Sequence, residues 1–295
     1  MPQAIILRRR KLGKGSTNGI VAKSTKDIKV VRNWRANDWP EEGVPIVFRW
    51  GCTNNLRHGM VASADEYGTV VNTAAAIHWC SNKRNSRLAM QEAGVPVPKT
   101  WGSLTEDWHN EGREFPIIIR PATHSQGREL YTCYNQEQLS ALVDWEHPWV
   151  GTQIHYVSKI IPKVAEYRVA VIQNRVAWAA QKTPADPSAI AWNVAQGGRF
   201  DNVRWNDWPM KVIKASLQAS KLSGTDFCGV DVMVDAEGKP YVLEVNSAPS
   251  QTSPYRQSCF AKCFDWIIDH GKEHFEDVAR PRRWKDVIHP ALVQE

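Results

Sequence analysis

The chain of 295 residues has no apolar run that approaches the length of a membrane span. Its first residues place a short apolar run, Ala4–Leu7, ahead of Arg8, Arg9 and Arg10, the reverse of a secretory signal. Cytoplasmic residence without a membrane partner is the expectation. Cysteine is sparse, with Cys52, Cys80, Cys133, Cys228, Cys259 and Cys263 scattered beside apolar or aromatic neighbours. This pattern suits reduced core thiols. Cys259-x-x-x-Cys263 has no second pair at ligand spacing, and its interleaved Phe260 and Phe264 read as one helix face rather than half a zinc site. No internal repeat or low-complexity stretch is present. The glycine-rich Gly13–Gly19 lacks the order Gly-x-x-x-x-Gly-Lys-[Ser/Thr], which leaves a weak anion loop or a flexible turn.

Acidic residues are nearly missing from the first 35 positions, which hold ten Lys/Arg (Arg8, Arg9, Arg10, Lys11, Lys14, Lys23, Lys26, Lys29, Arg32, Arg35) against Asp27 alone. The net charge of +6 therefore originates entirely at one end. Such a segment serves either as a docking surface for an acidic partner or polyanion, or as a strand edge kept soluble by its charges. Over the whole chain the composition, 42% apolar and 23% charged, is that of a globular protein. The 14 tryptophans follow no period and read mainly as core fillers, with Trp178 and Trp192 as candidates to wall a substrate.

What is present concentrates in Phe227–Val234 and Gly238–Asn246, two apolar strands joined by the turn Asp235-Ala236-Glu237-Gly238. Side chains alternate with period two, so Glu244 and Asn246 share a face, and simple register lets Asp231 join them. Two carboxylates and an amide on one face suit a hard divalent cation whose shell is completed by phosphates: Mg²⁺, with Mn²⁺ as an alternative. An ordinary hairpin would turn such groups to water. Inside unbroken apolar strands an unpaired carboxylate is costly.

Three α/β units are expected: an N-terminal domain over 1–80 with the basic segment, a central unit over 81–155 and a C-terminal unit over 156–295. The first contains β-like runs at Ala4–Leu7, Ile28–Val31, Val44–Phe48 and Thr69–Val71. A helix over 81–95, with Ser81 as N-cap, precedes strands Phe115–Arg120, Leu130–Tyr134 and Trp149–Tyr156 and helix Glu137–Asp144. The last unit has strands Tyr167–Ile172 and Arg175–Ala180, helix Met210–Leu222, the acidic hairpin and helix Ser258–Asp277.

The order of these motifs resembles one family. Lys83 opens a helix ending in Gly94-Val95-Pro96-Val97-Pro98-Lys99-Thr100. Phe115–Pro121 follows with Ser125-Gln126-Gly127, then Glu166–Val171, Trp192–Gly198 and the hairpin. This is similar to the ATP-grasp superfamily and, within it, the RimK-like carboxylate–amine ligases, over roughly residues 65–265. The resemblance implies an α/β ATP-grasp fold of three lobes, with nucleotide between two α/β subdomains and a small α/β domain before them. It also implies a reaction: a carboxylate takes the γ-phosphate of ATP, and an amine displaces phosphate from the acyl phosphate.

The implied site follows residue by residue. Asp231, Glu244 and Asn246 hold the metal. Lys83 and Arg120 take the two phosphate-binding cation positions, Ser125, Gln126 and Gly127 form the phosphate loop, and Gln153, Ile154, His155 and Tyr156 line the adenine hinge. Glu166 matches the acid near the ribose, Arg168 faces the transferring phosphoryl group and Asn193 lies near phosphate and metal. Positions 120 and 191–192 depart from the pattern, with Arg for Lys and Ala-Trp for Arg-Ser, and the phosphate loop is poor in glycine. The implied partners are a carboxylate and an amine, with an acidic peptide or other polyanion as one acceptor class. A nucleic-acid or acidic-protein binding module built on the basic segment, and a catalytically silent ATP-grasp scaffold, are the competing expectations.

Overall fold

The computed structural model describes residues 1–9, 14–32, 38–40, 43–53, 68–102, 108, 112, 114–122, 130–144, 155–186, 192 and 197–273. Among these residues the chain forms three sheets. The first contains β1 (Ala4–Arg8), β2 (Ile28–Arg32), β3 (Ile46–Trp50) and β4 (Thr69–Val71), all parallel, in the order β2-β1-β3-β4. Its central strands β1 and β3 are buried along their whole length. A parallel strand covered on both faces reads as a continuous apolar run, as Ala4–Leu7 does.

Helix α1 (Lys14–Lys23) connects β1 to β2. Within the segment expected to be a turn or anion loop, residues 14–19 are therefore helical. Gly15 and Gly19 disfavour a helix by intrinsic propensity, and tertiary packing overrides this. Backbone at Gly19 comes so close to Gln257 that an added Cβ would lie 2.1 Å from its side chain.

After β4, α2 (Ala74–Ser81) and α3 (Lys83–Glu92) run almost end to end. Ser81 closes α2. The cap of α3 is Asn82, whose side chain accepts from Asn85 N. The middle sheet has β5 (Thr100–Trp101), β6 (Ile117–Pro121), β7 (Tyr131–Cys133) and β8 (His155–Lys159) in the order β5-β8-β6-β7, with α4 (Gln136–Asp144) after β7. Its core of Trp101, Trp108, Ile117, Ile119, Cys133, Leu139 and Val157 is separate from the main one. The boundary expected at 155/156 falls inside β8, and the change of sheet comes between Lys159 and Lys163.

The third sheet is antiparallel, ordered β11-β10-β9-β12-β13. It comprises β9 (Lys163–Ile172), β10 (Arg175–Thr183), β11 (Arg199–Val203), β12 (Phe227–Asp235) and β13 (Pro240–Asn246). Helix α5 (Met210–Ser223) precedes β12, and α6 (Pro254–His270) follows β13. Strand β11 had no counterpart in the sequence reading, because Arg199–Val203 has only Phe200 and Val203 as apolar residues and exposes its other three. Helix α6 begins four residues before the expected Ser258, at the cap Ser253.

The first and third sheets share a core. Phe48 stacks on Phe264 with centroids 3.9 Å apart, and the Trp50 ring lies 5.3 Å from Phe227 and 5.6 Å from Phe260. The six cysteines are free and buried, with Cys259 and Cys263 on the packed face of α6. No helix among the described residues is long and apolar enough to cross a membrane.

The basic N-terminal segment is not a free arm. Arg8 ends β1 and is only 6% exposed. Arg32 binds Asp38 through two hydrogen bonds of 2.5 and 2.9 Å, and Lys26 pairs with Asp269 at 2.5 Å. Arg10, Lys11 and Arg35 lie outside the described residues.

Candidate active site

The hairpin closes in the register that brings the acids together. Asp231 on β12 lies directly across from Glu244 on β13, and Gly229 lies across from Asn246. A bulge after Asp231 keeps the later pairs aligned. Gly238, at φ 75°, makes the turn, and Asp235 Oδ1 accepts from Lys239 N at 2.8 Å. Strand β9 pairs with the other side of β12, with Arg168 opposite Asp231 and Glu166 opposite Met233. One face of this sheet therefore carries Glu166, Arg168, Asp231, Glu244 and Asn246.

Arg168 grips Asp231 as a fork, Nε to Oδ1 at 2.6 Å and Nη2 to Oδ2 at 2.7 Å. Lys182 of β10 contacts both Glu166 and Asp231, the latter at 3.3 Å, and Lys163 reaches the other Glu166 oxygen at 2.6 Å. Lys83, at the start of α3, binds Glu244, whose second oxygen accepts from Asn246 Nδ2 at 2.9 Å. Lys83 N also donates to Ala122 O at 2.9 Å, tying the start of α3 to the end of β6. Four cations thus face three carboxylates on a nearly closed surface.

These contacts decide the protonation states. Burial pushes the Glu244 carboxyl up, but the charge and hydrogen bond of Lys83, the Asn246 amide and the Arg168 charge hold it below the usual carboxylate range. Burial also raises Asp231, and Arg168 with Lys182 outweighs it, so Asp231 too stays low. Burial lowers Lys182, yet Asp231 and Glu166 bring it above its ordinary value. For Lys163 burial prevails and the amine is lowered.

The donor chemistry fits a hard cation. Both carboxylates are ionised and adjacent, and Asn246, whose amide nitrogen is used on Glu244, keeps its Oδ1 without a donor among the described residues. No group of three or more His, Cys, Asp or Glu there builds an all-protein cage. A metal would therefore need oxygens from its substrate, as Mg²⁺ at phosphates commonly does.

On the middle sheet, Arg120 of β6 is the register partner of Tyr156 on β8, and its guanidinium lies 5.4 Å from the Tyr156 ring centroid. Its Nε is buried with no acceptor among the described residues. His155 is buried beside Pro121. Glu166, implied as the ribose-side acid, has both oxygens taken by lysines on the third sheet. Ser125, Gln126, Gly127, Gln153, Ile154 and Asn193 lie outside the described residues.

The sequence reading missed Lys163, Lys182 and Arg87. Lys182 carried a faint signal, a charge two positions beyond the apolar run Val176–Ala180 in the same strand. Arg87 lies one helical turn after Lys83, is 1% exposed, and donates through Nη2 to Leu243 O beside Glu244. Burial lowers its pKa to about 10. Trp178 and Trp192 each stack a cation, Arg256 at 4.7 Å and Lys163 at 4.5 Å.

Comparison with known proteins supplies independent findings. The RimK-like ATP-grasp domain family model matches residues 82–260. A probable alpha-L-glutamate ligase of Aeromonas salmonicida (strain A449) is 34% identical over 207 residues, covering 64% of this chain and 67% of that one. Another from Vibrio vulnificus (strain YJ016) is 26% identical over 188 residues, covering 61% of this chain. The match spans 60% of the length of that relative. Among solved structures, the ATP-grasp ligase PsnB complexed with a phosphomimetic variant of its minimal precursor, Mg and ADP superposes with a TM-score of 0.59. It is 16% identical and covers 90% of this chain and 98% of that chain, a likeness of fold.

Proposed function

Because the chain belongs to the RimK-like ATP-grasp family, we propose that it is an ATP- and Mg²⁺-dependent carboxylate–amine ligase that forms an amide through an acyl phosphate. The observation that carries this reading is the Asp231–Glu244 cross-strand pair, ionised and ringed by Arg168, Lys182 and Lys83. Phosphoryl transfer asks a protein for position and charge more than for a covalent nucleophile, and this face supplies both.

A substrate carboxylate oxygen attacks the γ-phosphorus, the bond to the β,γ-bridging oxygen breaks, and ADP leaves. The amine nitrogen then attacks the acyl carbon, the acyl C–O bond to phosphate breaks, and the amine proton leaves with solvent or phosphate. Bound Mg²⁺ would neutralise phosphate charge against Asp231, Glu244 and Asn246, with Mn²⁺ as a substitute. Arg168 and Lys182 would hold the transferring group. Lys83 would move from Glu244 to phosphate, and Arg120, with its unpaired Nε, would bind phosphate from the β6–β8 side. Tyr156 and His155 would border the base, with Gln153 and Ile154; Ser125, Gln126, Gly127 and Asn193 keep the phosphate roles that the resemblance implies. The Glu166 carboxylate would order Lys163 and Lys182.

The relatives named as glutamate ligases make L-glutamate, or a peptide ending in it, the first acceptor to try. Supply of ATP and buried thiols suit the cytoplasm. Release of ADP and inorganic phosphate from Mg²⁺–ATP is expected only when both an amino acid and an acidic peptide are present. Release of AMP, or ADP formation unaffected by either substrate, contradicts the reading.

A further inference from the structure

Arg256 lies in the first turn of α6, where Ser253 Oγ accepts its backbone N–H at 3.3 Å. The residue is only 3% exposed. Its Nε donates to Asn202 Oδ1 at 2.8 Å and its Nη2 to Phe200 O at 3.1 Å. The guanidinium carbon sits 4.7 Å from the Trp178 ring centroid and 5.5 Å from that of Phe200. Trp178 is itself fixed, its Nε1 donating to Gln251 Oε1 at 3.0 Å.

What sets Arg256 apart is its countercharge. Arg168 and Lys182, the other cations on this part of the face, have carboxylate partners; Arg256 has none within ion-pair distance among the described residues. Burial lowers its pKa, Arg168 lowers it further, and Asp201 only partly offsets them. A guanidinium does not shed its proton under such pressure, so the charge remains buried and only partly compensated. Its Nη1 has no acceptor among the described residues.

The position is as telling as the charge. The Phe200 ring that Arg256 touches also lies 4.9 Å from Arg168 and 5.5 Å from Lys182. Arg256 and the residues that hold Asp231 therefore contact the same aromatic ring. Strand β13 with Lys83 occupies one edge of the sheet, and β11 with Arg256 above it occupies the other. We propose that Arg256, oriented by Asn202 and flanked by Trp178 and Phe200, is the subsite for the non-reacting α-carboxylate of an α-amino-acid amine substrate. This rests on the ligase reading of the same cleft. A planar guanidinium with its plane set by stacking and two hydrogen bonds presents its free edge to a carboxylate without further ordering. It would bring the amine toward Arg168, where the acyl phosphate forms.

The test compares L-glutamate and other proteinogenic amino acids, each against its α-amide, on the wild type, Arg256→Gln and Arg256→Lys. Binding is read by calorimetry with Mg²⁺ and a non-hydrolysable ATP analogue, and turnover by ADP release. At least one amino acid should bind the wild type about tenfold more tightly than its amide. Arg256→Gln should lose that preference, with nucleotide affinity unchanged, and Arg256→Lys should keep part of it. If Arg256 only pins β11 to α6, the Gln variant melts earlier and weakens acid and amide alike. That result, or a wild type that never prefers an acid over its amide, overturns the subsite; the wild-type comparison decides the matter even if the Gln variant does not fold. A wild-type preference lost in Arg256→Gln, with no ADP formed, leaves the subsite standing and removes the ligase reading instead.

Discussion

At the scale of single residues, the charges on the third sheet separate chemistry from stability. Glu244 borders the cleft and is held by Lys83 and Asn246, so Glu244→Gln keeps its shape and should fold normally. Its turnover should fall about 10²-fold or more, the usual cost of losing one preorganised electrostatic group. Arg168 is different. Arg168→Ala would leave Asp231 buried beside Lys182 alone, a loss on the order of 3–5 kcal/mol of stability besides the loss of rate. Thermal melting beside ADP release separates the two: Glu244→Gln should lose rate with a small loss of stability, Arg168→Ala should lose much of both. The acids also fix a pH response. Both folded pKa values are depressed, so their contribution is complete above the ordinary carboxylate range of about 4 and is lost as pH falls through the folded values. Melting temperature should therefore drop below about pH 4, less steeply in Glu244→Gln. The acidic residues were legible in the sequence because alternation places side chains on strands. Lys182 and Arg87 were not, since their contacts with Asp231 and Leu243 join segments far apart in the chain, and Lys163 took its meaning only once Glu166 was placed on the same face.

At the scale of elements, what stayed unread follows the same division. The hairpin β12–β13, α5 and the central strands announced themselves by period and by turn chemistry. Helix α1 did not, because its glycines argue for a loop and its stability comes from docking on α6. Strand β11 is mostly polar, with Phe200 and Val203 its only apolar residues, and is a strand only because β10 offers an open edge. Local propensity is a weak guide wherever tertiary contacts supply the stabilisation. The loop after β13 depends on a single close approach. A Cβ at Gly229 would lie 2.8 Å from Pro249 Cβ and 3.7 Å from Arg168 Cδ. Gly229→Ala should displace that loop from the strand opposite Asn246, costing about 1–3 kcal/mol. Melting should show the loss, and the KM for Mg²⁺–ATP should rise. An unchanged KM with an unchanged melting temperature would show that the loop yields freely.

At the scale of the whole molecule, the N-terminal sheet and the acidic sheet behave as one body through Trp50, Phe227, Phe260 and Phe264, whereas the β5–β8 sheet has its own core. Trp50→Ala should cost about 3–5 kcal/mol and melt the first and third sheets together, which hydrogen exchange in both would report. The division also leaves Arg120 and Tyr156 on a sheet whose core is separate from the one beneath the acidic face. The most direct test of the central claim is isotopic. Acidic peptides and L-glutamate labelled with ¹⁸O in their carboxylates are incubated with the protein and Mg²⁺–ATP, and the released phosphate is weighed by mass spectrometry. An acyl phosphate predicts one ¹⁸O carried from the substrate carboxylate into inorganic phosphate for every amide formed. Amide formation with unlabelled phosphate, or with release of AMP and pyrophosphate, would contradict the account.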